Sequence, residues 1–311
     1  MRQDGVFRPG TREVLGQINA EHGRSWRLEA LLEGGHSVGA FSLRAPDRSR
    51  AVLKWEAGQD PIRRVLGAPD AVAHARAHGY PTPAWLAWGA TSDGVAYHVQ
   101  EFLPGKAMGK VRQRQANLMI ELVARQVGIG PSTGQDWARL VHDLVYDSSD
   151  PAREKISSFS STTRRLLDVI ERAADPFVGH SIPSDDLVHG DLSPDNLLVH
   201  GGGLSGVVDA ETMGRGPAVF DLLCPVRNSY LWGHRFRVGA RLQQHAFDLA
   251  DGATVMVCAA AHVMKILGSG ITEWPEDVDR RALRSQHWIS DVHTAVEERR
   301  RISGKPRPVP N

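Results

Sequence analysis

His189-Gly190-Asp191-Leu192-Ser193-Pro194-Asp195-Asn196 lies between two strand-like runs, and its reading decides the fold of this 311-residue chain. A loop held by rigid strands on both sides can present an acid, Asp191, and an amide, Asn196, at the mouth of a cleft. Directly after it, residues 197–199 and 204–208 flank Gly201-Gly202-Gly203, the pattern of a hairpin. That hairpin would return a second carboxylate, Asp209, to the side of Asn196. Oxygen donors of this kind suit a hard divalent cation such as Mg²⁺.

Outward toward the N-terminus the pattern is β-like. Residues 28–32, 41–43 and 51–55 read as strands, with Gly34, Gly35 and Gly39 in the loop after the first. Thr11 is placed as the cap of a short preceding helix that carries Val14, Leu15 and Ile18 on one side. Residues 69–78 read as a helix opened by Pro69 and stopped by Gly79-Tyr80-Pro81-Thr82-Pro83. Strands at 85–88 and 96–102 complete a small sheet. Leu103-Pro104-Gly105 then breaks the pattern and helical periodicity takes over. Met119, Leu122, Val123 and Val127 form one apolar stripe, and Ile156, Phe159, Leu166, Leu167 and Ile170 another. The predicted architecture is α+β, with a small β-rich N-terminal lobe over 1–104 and a larger, mainly helical C-terminal lobe over 105–311.

Composition sets the limits. With 41% apolar and 23% charged residues the chain is globular, and 37 Lys and Arg against 36 Asp and Glu leave no field that would draw it to nucleic acid or to a membrane surface. Two cysteines, Cys224 and Cys258, are too few for a disulfide framework and lack zinc spacing, so a reducing, cytoplasmic setting is expected. The N-terminal stretch has no signal-peptide core and reads as mature sequence. The apolar run at 254–267 carries His262 and Lys265 and reads as a buried helix. The tail from Glu297 is charged and then proline-rich, with Arg299-Arg300-Arg301 as a solvated helix end. There is no Walker-type glycine loop, Gly201 to Gly203 lead into a strand where a Rossmann site needs a helix, and the 14 histidines show no metal spacing.

The loop fits the pattern His, any residue, Asp, Leu, three residues, Asn, with Gly190 where an Arg is usual. Its chemistry is that of phosphoryl transfer, in which charge spreads over phosphate oxygens and the enzyme positions and neutralises. Asp209 and Asn196 would share the metal, and Asp191 would orient an acceptor hydroxyl and take its proton late. Upstream, Lys54 in Ala51-Val52-Leu53-Lys54-Trp55 stands where a phosphate-holding lysine belongs, on the third strand after the glycine loop.

These residues resemble the aminoglycoside phosphotransferase family, relatives of protein kinases and choline kinase, over roughly residues 28–223. The family's turn after the second Asp matches Gly214-Arg215-Gly216-Pro217-Ala218-Val219-Phe220-Asp221. The resemblance implies a two-lobed protein-kinase-like fold and makes Asp221 and His189 structural, with Asp221 anchoring the loop backbone. It gives Ser37 as a donor to phosphate oxygens, and the Glu101 carbonyl and Leu103 amide as adenine contacts in an interlobe linker. Main-chain contacts of that kind leave GTP as an alternative to ATP. The family's helical Glu partner of the lysine is absent, and Asp70, sixteen residues after Lys54, is the best-placed acid.

The expected reaction is ATP- and Mg²⁺-dependent phosphorylation of a hydroxyl on a polar, polyhydroxylated and cationic antibiotic, by a monomer or weak homodimer. Candidate acids for the acceptor pocket are Asp143, Asp147 and Asp150, Glu211, and Glu273 and Asp277 around Trp274. Residues 222–311 hold 13 Lys and Arg against 9 Asp and Glu, so such a pocket would have to be acidic locally. Two alternatives stand beside this one: a metabolic kinase for choline, a sugar or an amino alcohol, and a nucleotide-binding scaffold that has lost its chemistry.

Overall fold

A computed structural model gives the structure of the chain and describes residues 10–32, 39–232, 237–302 and 304. In chain order the elements are α1 (Thr11–Glu21), β1 (Arg27–Leu32), β2 (Ala40–Arg44), β3 (Arg50–Ala57), α2 (Gln59–Gly67), α3 (Pro69–Ala77), β4 (Trp85–Ala90), β5 (Val95–Glu101), β6 (Lys106–Ala107), α4 (Gln113–Ala124), β7 (Gln135–Asp136), α5 (Trp137–Tyr146), α6 (Pro151–Phe159), α7 (Ser161–Ala174), β8 (Asp186–Val188), β9 (Leu197–His200), β10 (Gly203–Val207), β11 (Gly214–Gly216), α8 (Val219–Leu231), α9 (Arg237–Leu249), α10 (Gly252–Glu273) and α11 (Val278–Ile302). They divide between two compact units. One comprises Met1–Lys110, Pro131–Gln135 and Ser193–Gly214; the other comprises Val111–Gly130, Asp136–Leu192 and Arg215–Asn311.

The first unit is built on an antiparallel five-stranded sheet in the order β1-β2-β3-β5-β4. Strand alternation gives the sheet two unlike faces. Phe41, Leu43, Leu53, Trp55, Tyr97 and Val99 form an apolar face that packs on Val14, Leu15 and Ile18 of α1. The intervening residues point the other way, so Lys54 pairs across with His98, and Val52 with Gln100. A second sheet, in the order β10-β9-β6, carries the hairpin expected after Asn196. Thr11 begins α1 but does not cap it; Gly10 is the N-cap, and the Thr11 hydroxyl accepts from Trp55 Nε1 at 3.3 Å.

The second unit is helical. Residues 254–264 of α10 are all buried, and α10 packs against α5, α6, α7, α8 and α11. Among the described residues it is the helix long and apolar enough to cross a membrane, and 78% of its apolar window is buried within the fold, as a core helix requires. Side-chain caps set the helix starts: Asp136, Asp150, Ser160 and Asp251 accept from amides in the first turns of α5, α6, α7 and α10. Two of the predicted stripes need correction. Helix α4 ends at Ala124, leaving Val127 beyond it and 48% exposed, and Ser160 interrupts the second stripe, leaving Phe159 exposed at the end of α6. The basic tail run is not merely solvated: Arg299 lies over the Phe247 ring and Arg300 over Phe177.

Because Phe41 is fully buried between the sheet and α1, Phe41→Ala is expected to cost about 3–5 kcal/mol in urea unfolding. Leu66→Ala, at a residue 54% exposed, should stay within about 0.5 kcal/mol and serves as the control.

Candidate active site

Residues 189–192 follow strand β8 in the helical unit, and a buried carboxylate fixes the backbone of the first two. Asp221 Oδ2 accepts from the His189 amide at 2.6 Å and from Gln126 Nε2 at 2.7 Å, while Oδ1 accepts from the Gly190 amide at 2.8 Å. Burial pushes the Asp221 carboxyl up, against the lowering pull of His189 and these donors. Gly190 adopts φ 87°, and a Cβ there would lie 1.8 Å from Trp137 Cζ2. The position that usually holds Arg in this motif therefore has no room here for any side chain. His189 is buried, and its Nδ1 accepts from the Asp191 amide at 3.4 Å.

Asp191 is partly exposed, with basic and thiol groups of α8 and α10 packed around it. Cys224 Sγ lies 3.7 Å from Asp191 Oδ1, and Arg227 Nη2 donates to Cys224 Sγ at 3.3 Å. Burial pushes the Cys224 thiol up to about 12, so it is a neutral donor to the carboxylate. Cys224 therefore belongs to the constellation that the sequence placed it outside, whereas Cys258 is buried in α10. Lys265, from the middle of α10, donates to the Gly190 carbonyl at 3.2 Å.

In the other unit, β3 presents Lys54 on the face of the sheet away from α1. Its ammonium forms an ion pair with Asp209 and lies 3.8 Å from Glu211 Oε1. Asp209 follows the hairpin and has φ 66°, a left-handed conformation that Asp tolerates better than most residues. The amide of Val208, next to it, donates to the Asn196 carbonyl at 2.9 Å, so Asn196 and the Asp209 turn adjoin. His98 Nε2 lies 3.5 Å from Glu211 Oε1, and the His98 ring stacks on Trp85 with centroids 4.4 Å apart. Burial pushes the His98 imidazole down to about 4, despite the opposing pull of Glu211. Trp85 Nε1 is buried without a hydrogen-bond partner in this region. An unmet donor of that kind is what a polar ligand or ordered water would satisfy.

The remaining candidates divide. Glu101 ends β5, where its carboxylate meets Arg76 at 3.4 Å and its amide donates to the Ala84 carbonyl. Leu103 lies against Gly206 of β10, where a Cβ would approach Leu103 Cδ1 to 2.2 Å, and Ser205 Oγ donates to the Pro104 carbonyl at 2.6 Å. Ser37 lies outside the described residues. Asp70 is exposed in the first turn of α3 and is not a partner of Lys54, whose carboxylates come from 209 and 211. Glu211, expected on the acceptor side, belongs with the lysine. Asp143 pairs with Arg139 at 3.3 Å, Asp147 accepts from the amide and hydroxyl of Ser149, and Asp150 caps α6. Those acids are committed to local structure. Asp277 holds Arg280 and Arg281, and Glu273 is exposed at the end of α10. No sequence signal pointed to Cys224, Lys265 or His98 as neighbours of the motif residues.

The chain resembles known proteins in sequence pattern and in fold. A family model described as the phosphotransferase enzyme family matches residues 30–256. No curated protein matches. Among solved structures the chain is similar to a thermostable mutant of aminoglycoside phosphotransferase APH(4)-Ia in a ternary complex with ADP and hygromycin B, at 15% identity and TM-score 0.62 over 92% of this chain and 98% of that one. It is also similar to a protein assigned as a fructosamine-3-kinase from Haemophilus somnus 129PT, at 14% identity and TM-score 0.60 over 89% and 96%. Macrolide 2'-phosphotransferase MphH from Brachybacterium faecium matches at 17% identity and TM-score 0.50 over 88% and 97%. The shared fold is the two-lobed kinase-like one.

Two outcomes test this geometry. Gly190→Ala must adopt a positive φ and displace the Trp137 ring, so it should lose roughly 2–5 kcal/mol in urea unfolding. For His98, a value in the folded state below the ordinary 6.5 means that its contribution is present above that pH and is lost as pH falls toward about 4. The stability difference between the wild type and His98→Gln should therefore shrink by roughly 3 kcal/mol across that interval, read from unfolding curves at each pH.

Proposed function

The chain belongs to the phosphotransferase enzyme family, a kinase acting on a hydroxyl group of a small molecule, and from its site residues we propose how it does so and on what. The reading gives Lys54 the α- and β-phosphates of a purine triphosphate, ATP with GTP as an alternative, and gives Asp191 the acceptor hydroxyl. The observation that carries it is the Lys54 ion pair with Asp209 beside Glu211, two carboxylates facing one ammonium. That surplus of negative charge, with the Asn196 amide adjoining, fits a hard divalent cation that keeps water and phosphate as its other ligands. Asn196 and Asp209 would hold Mg²⁺, which supplies charge neutralisation on the phosphate oxygens.

In this reading Lys54 leaves Asp209 for the phosphates and retains Glu211 as its carboxylate, which takes the part expected of Asp70. The main chain of residues 101–103 receives the purine, and Ser37 of the glycine loop donates to phosphate oxygens. Asp191 orients the acceptor hydroxyl and takes its proton as the bond to phosphorus forms. Asp221 and His189 keep the loop backbone in place for that step.

The acceptor we infer is a polar, polyhydroxylated antibiotic, cationic in the manner of aminoglycosides or basic peptides, so that phosphorylation would confer resistance. One observation favours a metabolic acceptor such as a sugar amine: Asp143, Asp147, Asp150 and Asp277 are engaged in caps and ion pairs, which leaves fewer carboxylates for ammonium groups. A coupled screen of nucleotide turnover over aminoglycosides, basic peptides, macrolides, choline and simple sugars separates the two. Turnover of a sugar or choline with no antibiotic accepted would remove the resistance reading.

Asp191→Ala should lower kcat by roughly three or more orders of magnitude with nucleotide affinity nearly unchanged. Asp209→Ala should also weaken Mg-nucleotide binding in calorimetry, and EDTA should abolish turnover. Wild-type rates in both variants would return the protein to the inactive-scaffold reading.

A further inference from the structure

The sequence read Lys265 as part of a buried core helix, yet the structure places its ammonium at the catalytic loop. It donates to the Gly190 carbonyl at 3.2 Å and lies 5.1 Å from the centre of the Trp137 ring, the same ring that forbids a side chain at 190. A half-buried ammonium needs compensation, and a carbonyl and an aromatic face supply only part of it. The residue that follows Gly190 in the chain is Asp191. Asp221 is already committed to two loop amides and Gln126.

The other charged groups around Asp191 are differently placed. Arg227 of α8 is buried and reaches it through the Cys224 thiol; its Nη1 meets His262 Nδ1 at 3.2 Å. His262 Nε2 lies 2.7 Å from the Phe220 carbonyl and must donate to it, so Nδ1 is left to accept from Arg227 and the ring is neutral. His189 uses its Nδ1 to accept from the Asp191 amide. Lys265, by contrast, is a cation that reaches the loop backbone without an intervening group.

We propose that Lys265 is a positioning residue for Asp191, fixing the Gly190 carbonyl and so the peptide that aims the Asp191 carboxylate at the acceptor. This rests on the reading of Asp191 as the acceptor-orienting acid. Loss of the ammonium should let the Gly190–Asp191 peptide relax.

The test uses the full chain with Lys265→Met, Lys265→Gln and Lys265→Arg. Gln and Arg keep a donor for the Gly190 carbonyl that Met lacks, so they keep the proposal testable if Met destabilises the fold. MgATP hydrolysis to water supplies kcat and the nucleotide KM without an acceptor. Met should lower kcat about 10- to 100-fold with KM within about twofold, and Gln and Arg should recover most of that loss. A wild-type kcat in the Met variant while Asp191→Asn is inactive overturns the proposal, as do Gln and Arg variants that are as slow as Met. A wild-type kcat in Asp191→Asn instead brings down the assignment of Asp191 itself.

Discussion

The carboxylate of Asp221 is the constraint from which the rest of the catalytic loop follows. Removing a carboxylate from water is tolerable only when its lone pairs are met, and here the donors to Asp221 on α8 come from two separated stretches: Gln126 after α4, and His189 and Gly190 after β8. Meeting Asp221 fixes the direction of two consecutive peptide N–H groups. That direction requires the positive φ of Gly190, and Trp137 then closes the space a Cβ would fill. One buried charge thus dictates the residues at 126, 137 and 190, and it fixes the backbone from which Asp191 projects.

A different balance governs the sheet unit. The face of β3 and β5 toward α1 is apolar and closed, and the two-residue period puts Lys54, His98 and Gln100 on the opposite face. Lys54 and His98 meet there because they are cross-strand partners. Asp209 and Glu211, also two apart, bring two negative charges to one lysine and one neutral imidazole. The local excess of this group is negative by one, which a bound cation can neutralise.

Strand alternation and the spacing around residues 189–221 made the sheet, the hairpin and the loop legible, because those signals are local and periodic. Helix α2 was missed, since its nine residues carry few apolar positions: Pro61 and Val65 are its buried ones. Thr11 was given a capping role because a hydroxyl before an apolar stripe usually has one, but a tryptophan 44 residues away claims it. The partners of Lys54 and Asp191 were out of reach for a related reason. Glu211 differs from an ordinary turn acid only through where the hairpin carries it, and Lys265 is 75 residues from the carbonyl it holds. Pairing across such separations is set by packing and leaves no trace in the spacing.

The same limit shaped the expectation about the acceptor. Acids in a loop-like stretch look available, yet an Asp before a helix or a Ser two residues on is drawn to the nearest free amide, because that bond closes a short ring at little entropic cost. Asp147 and Asp150 behave in this way, and Asp143 takes the arginine one turn earlier. Elsewhere in the helical unit Arg281 is stacked between Trp232 and Trp274, with its charge met by Asp277. In the reading proposed above, a cationic acceptor would therefore have to draw on carboxylates other than Asp143, Asp147, Asp150 and Asp277, and Glu273, exposed at the end of α10, is one such group.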